Sequence, residues 1–179
     1  MTQIGSVYGQ ALYSLALEES LTGQILDQLA ILDGCFRENP DFIRLLSSPN
    51  LSKQERCAIV DSSFRGKVHG YVLNFLKILT EKGYMKHFES CRKAYESQYN
   101  LDNGILPVTA VTAVAMDQGQ MTRLADKLSG ITGKRIQLQN RIDPSVLGGV
   151  RLDYDGKRLD DTVAHRLDAI RGLLKNTVL

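Results

Sequence analysis

From Ile4 to about Asn100 the apolar positions recur every three or four residues, the spacing that lines one face of an α-helix, and punctuation divides the stretch into six helices. The first carries Ile4, Val7, Tyr8, Ala11, Leu12 and Leu15 and is followed by a break at Thr22-Gly23. The second carries Ile25, Leu29, Leu32 and Phe36 and ends at Asn39-Pro40, because a proline biases the residue before it away from helical backbone. A short third helix over Asp41 to Leu46 stops at Ser47-Ser48-Pro49-Asn50. Ser52 and Glu55 have the spacing of a capping box, which starts the fourth. His69 to Glu81 forms a fifth, closed by Lys82-Gly83. Phe88, Cys91, Tyr95 and Tyr99 mark one face of a sixth.

At Asp102-Asn103-Gly104 the period changes. Pro107 to Val114 is rich in β-branched residues and reads as a strand. Asp117 with Gln120 caps a helix through Leu124 and Leu128 that ends at Gly130 or Gly133, and Ile136 to Gln139 alternates as a half-buried strand. Val150 to Tyr154 alternates again before Asp155-Gly156, a hairpin turn whose residues accept positive φ. A last helix from about Asp161 carries Val163, Leu167, Ile170 and Leu174 on one stripe. The fold class is therefore α+β: a six-helix bundle over residues 1–103, then a small β-α-β-β-α domain over 104–179.

Composition narrows the function classes. The 43% hydrophobic content over 179 residues supports buried cores, and the formal net charge of only +2 offers no broad basic field for nucleic acid. No apolar run approaches the roughly 20 residues needed to cross a bilayer. Met1-Thr2-Gln3-Ile4-Gly5 has neither the basic start nor the apolar core of an export signal, so neither export nor organelle import is expected. Cys35, Cys57 and Cys91 form no CxxC pair and read as reduced thiols that pack as small apolar residues.

Candidate chemistry is sparse. Gly130-Ile131-Thr132-Gly133-Lys134 fails as a phosphate loop: its glycines are too close, Arg135 stands where a hydroxyl would meet magnesium, and it follows a helix where it should open one. His69, His87 and His165 show no ligand spacing, and Asp160-Asp161 is better explained as a helix N-cap than as an acid/base pair. No catalytic residue, metal site or cofactor is expected. The fifth helix is unusual: Val72, Leu73, Leu76 and Leu79 flanked by Tyr71, Phe75 and Ile78 make an apolar arc of roughly 220°. The first helix is similar, with Gly5 and Gly9 permitting close backbone approach. Two readings fit, central bundle helices or a groove between helices one and five for an amphipathic partner helix, because a buried face and a binding face share one spacing.

Ser6 to Ala16 resembles the opening helix of ATP synthase delta subunits, which are similar to the mitochondrial oligomycin-sensitivity-conferring protein, and Asn74 to Gly83 resembles the fifth helix of that family. More specific is Ile142-Asp143-Pro144-Ser145-Val146-Leu147-Gly148-Gly149-Val150, followed by Gly156, Asp160 and Arg166-Leu167. The resemblance implies a non-catalytic connector of the peripheral stalk, or stator, in a proton-translocating ATP synthase. Its amino-terminal domain would bind the amino-terminal helices of the alpha subunits, with Tyr8, Ala11, Leu12 and Leu15 on one wall of the groove and Tyr71, Asn74, Phe75 and Ile78 on the other. On this division Val72, Leu76 and Leu79 serve the core, leaving Tyr71, Phe75 and Ile78 for the partner. Its carboxy-terminal domain would join the carboxy-terminal helices of the b-subunit stalk. Asp143, Pro144, Gly148, Gly149 and Gly156 would be structural. The chain would meet the cytoplasmic face of the bacterial inner membrane only through the complex. The alternative is a small regulatory or accessory protein with a ligand-binding carboxy-terminal α/β domain.

Overall fold

The computed structural model describes residues 2–48, 50–163 and 165, so the final helix expected through Leu167, Ile170 and Leu174 lies outside the described residues. The chain divides into two compact units, Met1–Tyr99 and Asn100–Leu179. Its described part is mixed helix and sheet, with seven α-helices and one four-stranded sheet.

The first unit is built from α1 (Gln3–Glu18), α2 (Thr22–Glu38), α3 (Pro40–Leu46), α4 (Lys53–Phe64), α5 (Gly70–Glu81) and α6 (Phe88–Asp102), the last reaching a turn into the second unit. Local chemistry sets most ends. Thr2 caps α1 by accepting the Gly5 N–H at 3.1 Å. Ser52 and Glu55 form the expected capping box, and the Ser52 N–H, more than its hydroxyl, holds the Glu55 carboxyl below its ordinary range. Pro40 opens α3, where its missing N–H removes no helical bond. One break differs from expectation: α1 stops at Glu18 through Ser20, which takes φ +57°, and Thr22-Gly23 opens α2 instead of separating the helices.

The core joins Leu12, Tyr13 and Ala16 of α1 to Ile25, Leu29, Leu32 and Phe36 of α2, Val72, Phe75, Leu76 and Leu79 of α5, and Phe88, Cys91 and Tyr95 of α6. Tyr95 is fully buried. Its hydroxyl donates to the Thr22 carbonyl at 2.9 Å, and burial pushes its pKa up. The buried Asp33 carboxylate takes ion pairs from Arg37 at 2.9 Å and Arg92 at 3.3 Å, which ties α2 to α6 and satisfies a charge that would otherwise be costly inside. Gly5 and Gly9 do permit a close approach, and the neighbour is α6. A Cβ on Gly9 would stand 2.3 Å from the Cys91 carbonyl oxygen.

The cysteines do not share one environment. Cys91 is buried, and burial pushes its thiol up to about 11; Cys57 is half-buried; Cys35 is exposed, contrary to the packing role expected for it, because it lies on the outward side of α2 with Ile31 and Gly34. Alkylation of the native chain at neutral pH should therefore modify Cys35 first, Cys57 slowly and Cys91 only after unfolding, as peptide mapping by mass spectrometry would read. Rapid native labelling of Cys91 would contradict this burial.

The second unit places β1 (Ile105–Thr112), α7 (Gln118–Thr132), β2 (Arg135–Ile142), β3 (Val150–Tyr154) and β4 (Lys157–Asp160) in the order β2-β1-β3-β4, with β1 and β2 parallel and the other pairs antiparallel. The sequence reading counts one strand too few: Asp155 (φ +46°) and Gly156 (φ +70°) make the hairpin turn, and β4 is its returning arm. Strand β1 also starts at Ile105, two residues before Pro107. Gly104 and Thr112 both turn their carbonyls toward β2, accepting from the N–H groups of Arg135 and Asp143, so Pro107 faces the β3 side. Strand β3 pairs only with residues 108–112, so the missing N–H of Pro107 breaks no ladder bond. Asp117 and Gln120 box the start of α7, and Gly133 ends it at φ +65°.

Candidate functional site: an apolar face on α1 and α5

Helix α1 contacts α5, and the two present a mixed face of buried and accessible residues. Leu12 and Phe75 belong to the core, at 5% and 6% exposure, and the Phe75 ring lies 6.4 Å from that of Phe88. The expected division of α5, with Phe75 kept for a partner, is thus corrected: Phe75 packs inward with Val72, Leu76 and Leu79, while Tyr71 is half-buried and Asn74 and Ile78 are exposed. On α1, Tyr8 is half-buried and Ala11 and Leu15 are exposed. Ile78 at 45% and Leu15 at 39% are large apolar side chains left at the surface.

The surrounding contacts hold this face in position. The Tyr8 ring meets Tyr84 edge-on at 5.9 Å, setting the start of α1 beside the end of α5. Tyr71 meets His69, the N-cap of α5, at 5.0 Å. Lys77 of α5 bonds Asp61 of α4, which Arg65 also holds, and the Lys77 hydrogen bond foremost keeps that carboxyl below its usual range. One edge of α5 is thereby fixed to α4, and the edge carrying Tyr71, Asn74 and Ile78 is left outward. What the arrangement offers is apolar relief, with Leu15 and Ile78 at the surface. Tyr84 is the member that sequence reasoning missed, since it follows the Lys82-Gly83 stop and lies on no helical stripe.

In the second unit the Asp-Pro-Ser segment is a turn. Asp143 accepts from the Ser145 hydroxyl at 2.5 Å and from its N–H at 3.0 Å, which holds the carboxyl below its ordinary range, and Pro144 opens a single 3-10 turn that buries Val146. Gly149 has φ +80°, and a Cβ there would stand 2.5 Å from the Asp161 carbonyl oxygen. Gly148 accepts from the Val163 N–H at 3.0 Å. Asp160 caps the same segment through the Thr162 hydroxyl at 2.7 Å, the chief cause of its own lowered pKa. These residues clamp positions 160–163 against the loop before β3, whereas Gly156 lies apart in the hairpin. Among the described residues no group of His, Cys, Asp and Glu could hold a metal ion, and no helix is long and apolar enough to cross a membrane.

The family model described as ATP synthase delta (OSCP) subunit matches residues 4–174. ATP synthase subunit delta of Alkaliphilus oremlandii is 33% identical over 172 residues, covering 96% of each chain, and that of Clostridioides difficile is 30% identical over 176 residues, covering 98% of this chain and 97% of the relative. Among solved structures, a chain of the Toxoplasma gondii mitochondrial ATP synthase hexamer aligns with a TM-score of 0.76 over 97% of this chain and 98% of that one. At 18% identity this likeness concerns the fold.

Proposed function

The chain belongs to the ATP synthase delta (OSCP) subunit family, a structural and not a catalytic part of the peripheral stalk, and from that premise we propose that it connects the catalytic head to the b-subunit stalk. Its amino-terminal six-helix bundle binds an amino-terminal helix of an alpha subunit in the groove between α1 and α5, and its carboxy-terminal domain binds the carboxy-terminal helices of b. The connector resists rotor torque, so the head does not turn with the shaft, and it sits at the cytoplasmic face of the bacterial inner membrane through the complex alone. The observation that carries this reading is the apolar relief on α1 and α5. On this reading Tyr8, Ala11 and Leu15 would form one wall and Tyr71, Asn74 and Ile78 the other; what supports it is that Ala11, Leu15, Asn74 and Ile78 are exposed and Tyr8 and Tyr71 half-buried, while Leu12 and Phe75 lie in the core.

Helix-in-groove binding rests on a few apolar anchors, and losing one costs about 2 kcal/mol, near thirtyfold in affinity. Ile78→Asp should therefore weaken binding of a synthetic alpha-subunit amino-terminal peptide by roughly that factor while moving the denaturant midpoint little, because Ile78 is exposed. Unchanged peptide affinity would remove the groove. Co-purification tests the whole reading: tagged chain should bring down alpha and b subunits, whereas a ligand-binding accessory protein would bring down neither.

We further propose that residues 1–103 fold alone. The first unit closes its own core, and a fragment ending at Asn103 should show a cooperative helical melt by circular dichroism. A gradual, non-cooperative melt would show that the unit depends on the rest of the chain.

A further inference from the structure

A second apolar surface lies on α2, α3 and α4. Because α2 ends at Glu38 and α3 is only seven residues long, the chain leaves a cavity of about 640 Å³ between them and the end of α4. Its floor is an aromatic triangle: the Phe36 ring lies 6.0 Å from Phe42 and 6.1 Å from Phe64, which are themselves 5.8 Å apart. Leu45, 44% exposed, and the exposed Cys35 stand at its rim. From that rim the outward side of α2 continues through Gly34 to Ile31, which at 66% is one of the most exposed large apolar side chains described.

Charge bounds this surface. Glu38 and Asp41 line the cavity and no Lys or Arg does. Asp27 lies one turn beyond Ile31 on the same side of α2, so a stripe of Asp27, Ile31, Cys35 and Glu38 reads acidic, apolar, apolar, acidic. Asp41 is answered by Arg44, but neither Asp27 nor Glu38 has an ion-pair partner among the described residues. The carbonyl end of α2 adds partial negative charge at the same rim.

We propose that this surface docks an amphipathic helix of a partner protein, which seats an apolar side chain over the aromatic triangle and sets cations against Asp27 and Glu38. Those two carboxylates are eleven residues apart on α2, about 16 Å along its axis, so the partner helix presents basic residues at that separation, one at each end of its apolar stripe. The proposal is independent of the α1–α5 groove, since none of its residues lies on either helix.

Cys35 is a built-in reporter. The probe is an amidated Leu/Lys model helix of about four turns with lysines eleven residues apart, compared with its Leu/Glu counterpart, and the readout is the alkylation rate of Cys35 in the full chain. The lysine peptide should slow Cys35 alkylation on the order of tenfold at saturation, and Ile31→Asn or Glu38→Gln should each weaken that protection about tenfold, while Ile78→Asp leaves it intact. Both α2 substitutions are at exposed positions, so folding is preserved. Absent protection, or equal protection by the glutamate peptide, would overturn the proposal. So would protection that rises with the concentration of the chain alone, which would assign the surface to a second copy.

Discussion

Phe75→Ala should destabilise the first unit by about 3–5 kcal/mol, the cost of removing a buried aromatic ring and leaving its cavity. Phe75 is 6% exposed, packs with Val72, Leu76 and Leu79, and meets the Phe88 ring that in turn lies 4.8 Å from Phe36. Truncating it therefore loosens α5 from α6 and from α2 together. Against a total stability of roughly 5–15 kcal/mol this loss is large enough to lower the melting midpoint by well over 10 °C. Ile78→Ala, one turn on but 45% exposed, should move the midpoint by a few degrees at most. A denaturant titration of both variants separates the roles: similar small losses would mean that Phe75 is not the core residue its burial describes.

The same pair shows what the sequence could and could not reveal. On a helical wheel Phe75 stands about 40° from Tyr71 and about 40° from Leu79, so periodicity alone lets it join either stripe. What decides is where α4 and α6 sit, and no property of α5 encodes that. Caps were legible because they are local: Ser52 with Glu55, Asp117 with Gln120, and Asp155-Gly156 each act within a few residues of chain. The returning strand β4 was hidden because it is four residues long and reads Lys157-Arg158-Leu159-Asp160, with little β-branched character. The ion pairs on Asp33 and the cavity floored by Phe36, Phe42 and Phe64 were out of reach for another reason. Each joins residues from different helices, and helical spacing says nothing about which helices meet.

Gly9→Ala should be destabilising, although glycine to alanine inside a helix ordinarily gains about 0.5–1 kcal/mol. The added Cβ would stand 2.3 Å from the Cys91 carbonyl oxygen and 2.8 Å from the Ala94 Cβ, and neither can turn aside, because one is backbone and the other has no rotamer. Helices α1 and α6 must separate, which disturbs Tyr13 against Tyr95, whose rings lie 5.2 Å apart edge-on. Overpacking of this kind costs about 1–3 kcal/mol, occasionally more, and here it exceeds the propensity gain. Gly9→Leu should go further and abolish the cooperative melt of the first unit. Gly34→Ala is the control: Gly34 lies within α2, is exposed, and has nothing within 4 Å of an added Cβ, so the same chemical change should raise stability by about 0.5–1 kcal/mol. The opposite signs are the measurable result. If Gly9→Ala instead stabilised the chain as Gly34→Ala does, α1 and α6 would not be in backbone contact, and the close crossing through Gly5 and Gly9 would be wrong. With the crossing intact, α1 has the face of Gly5 and Gly9 committed to α6, and Tyr8, Ala11 and Leu15 lie off that face.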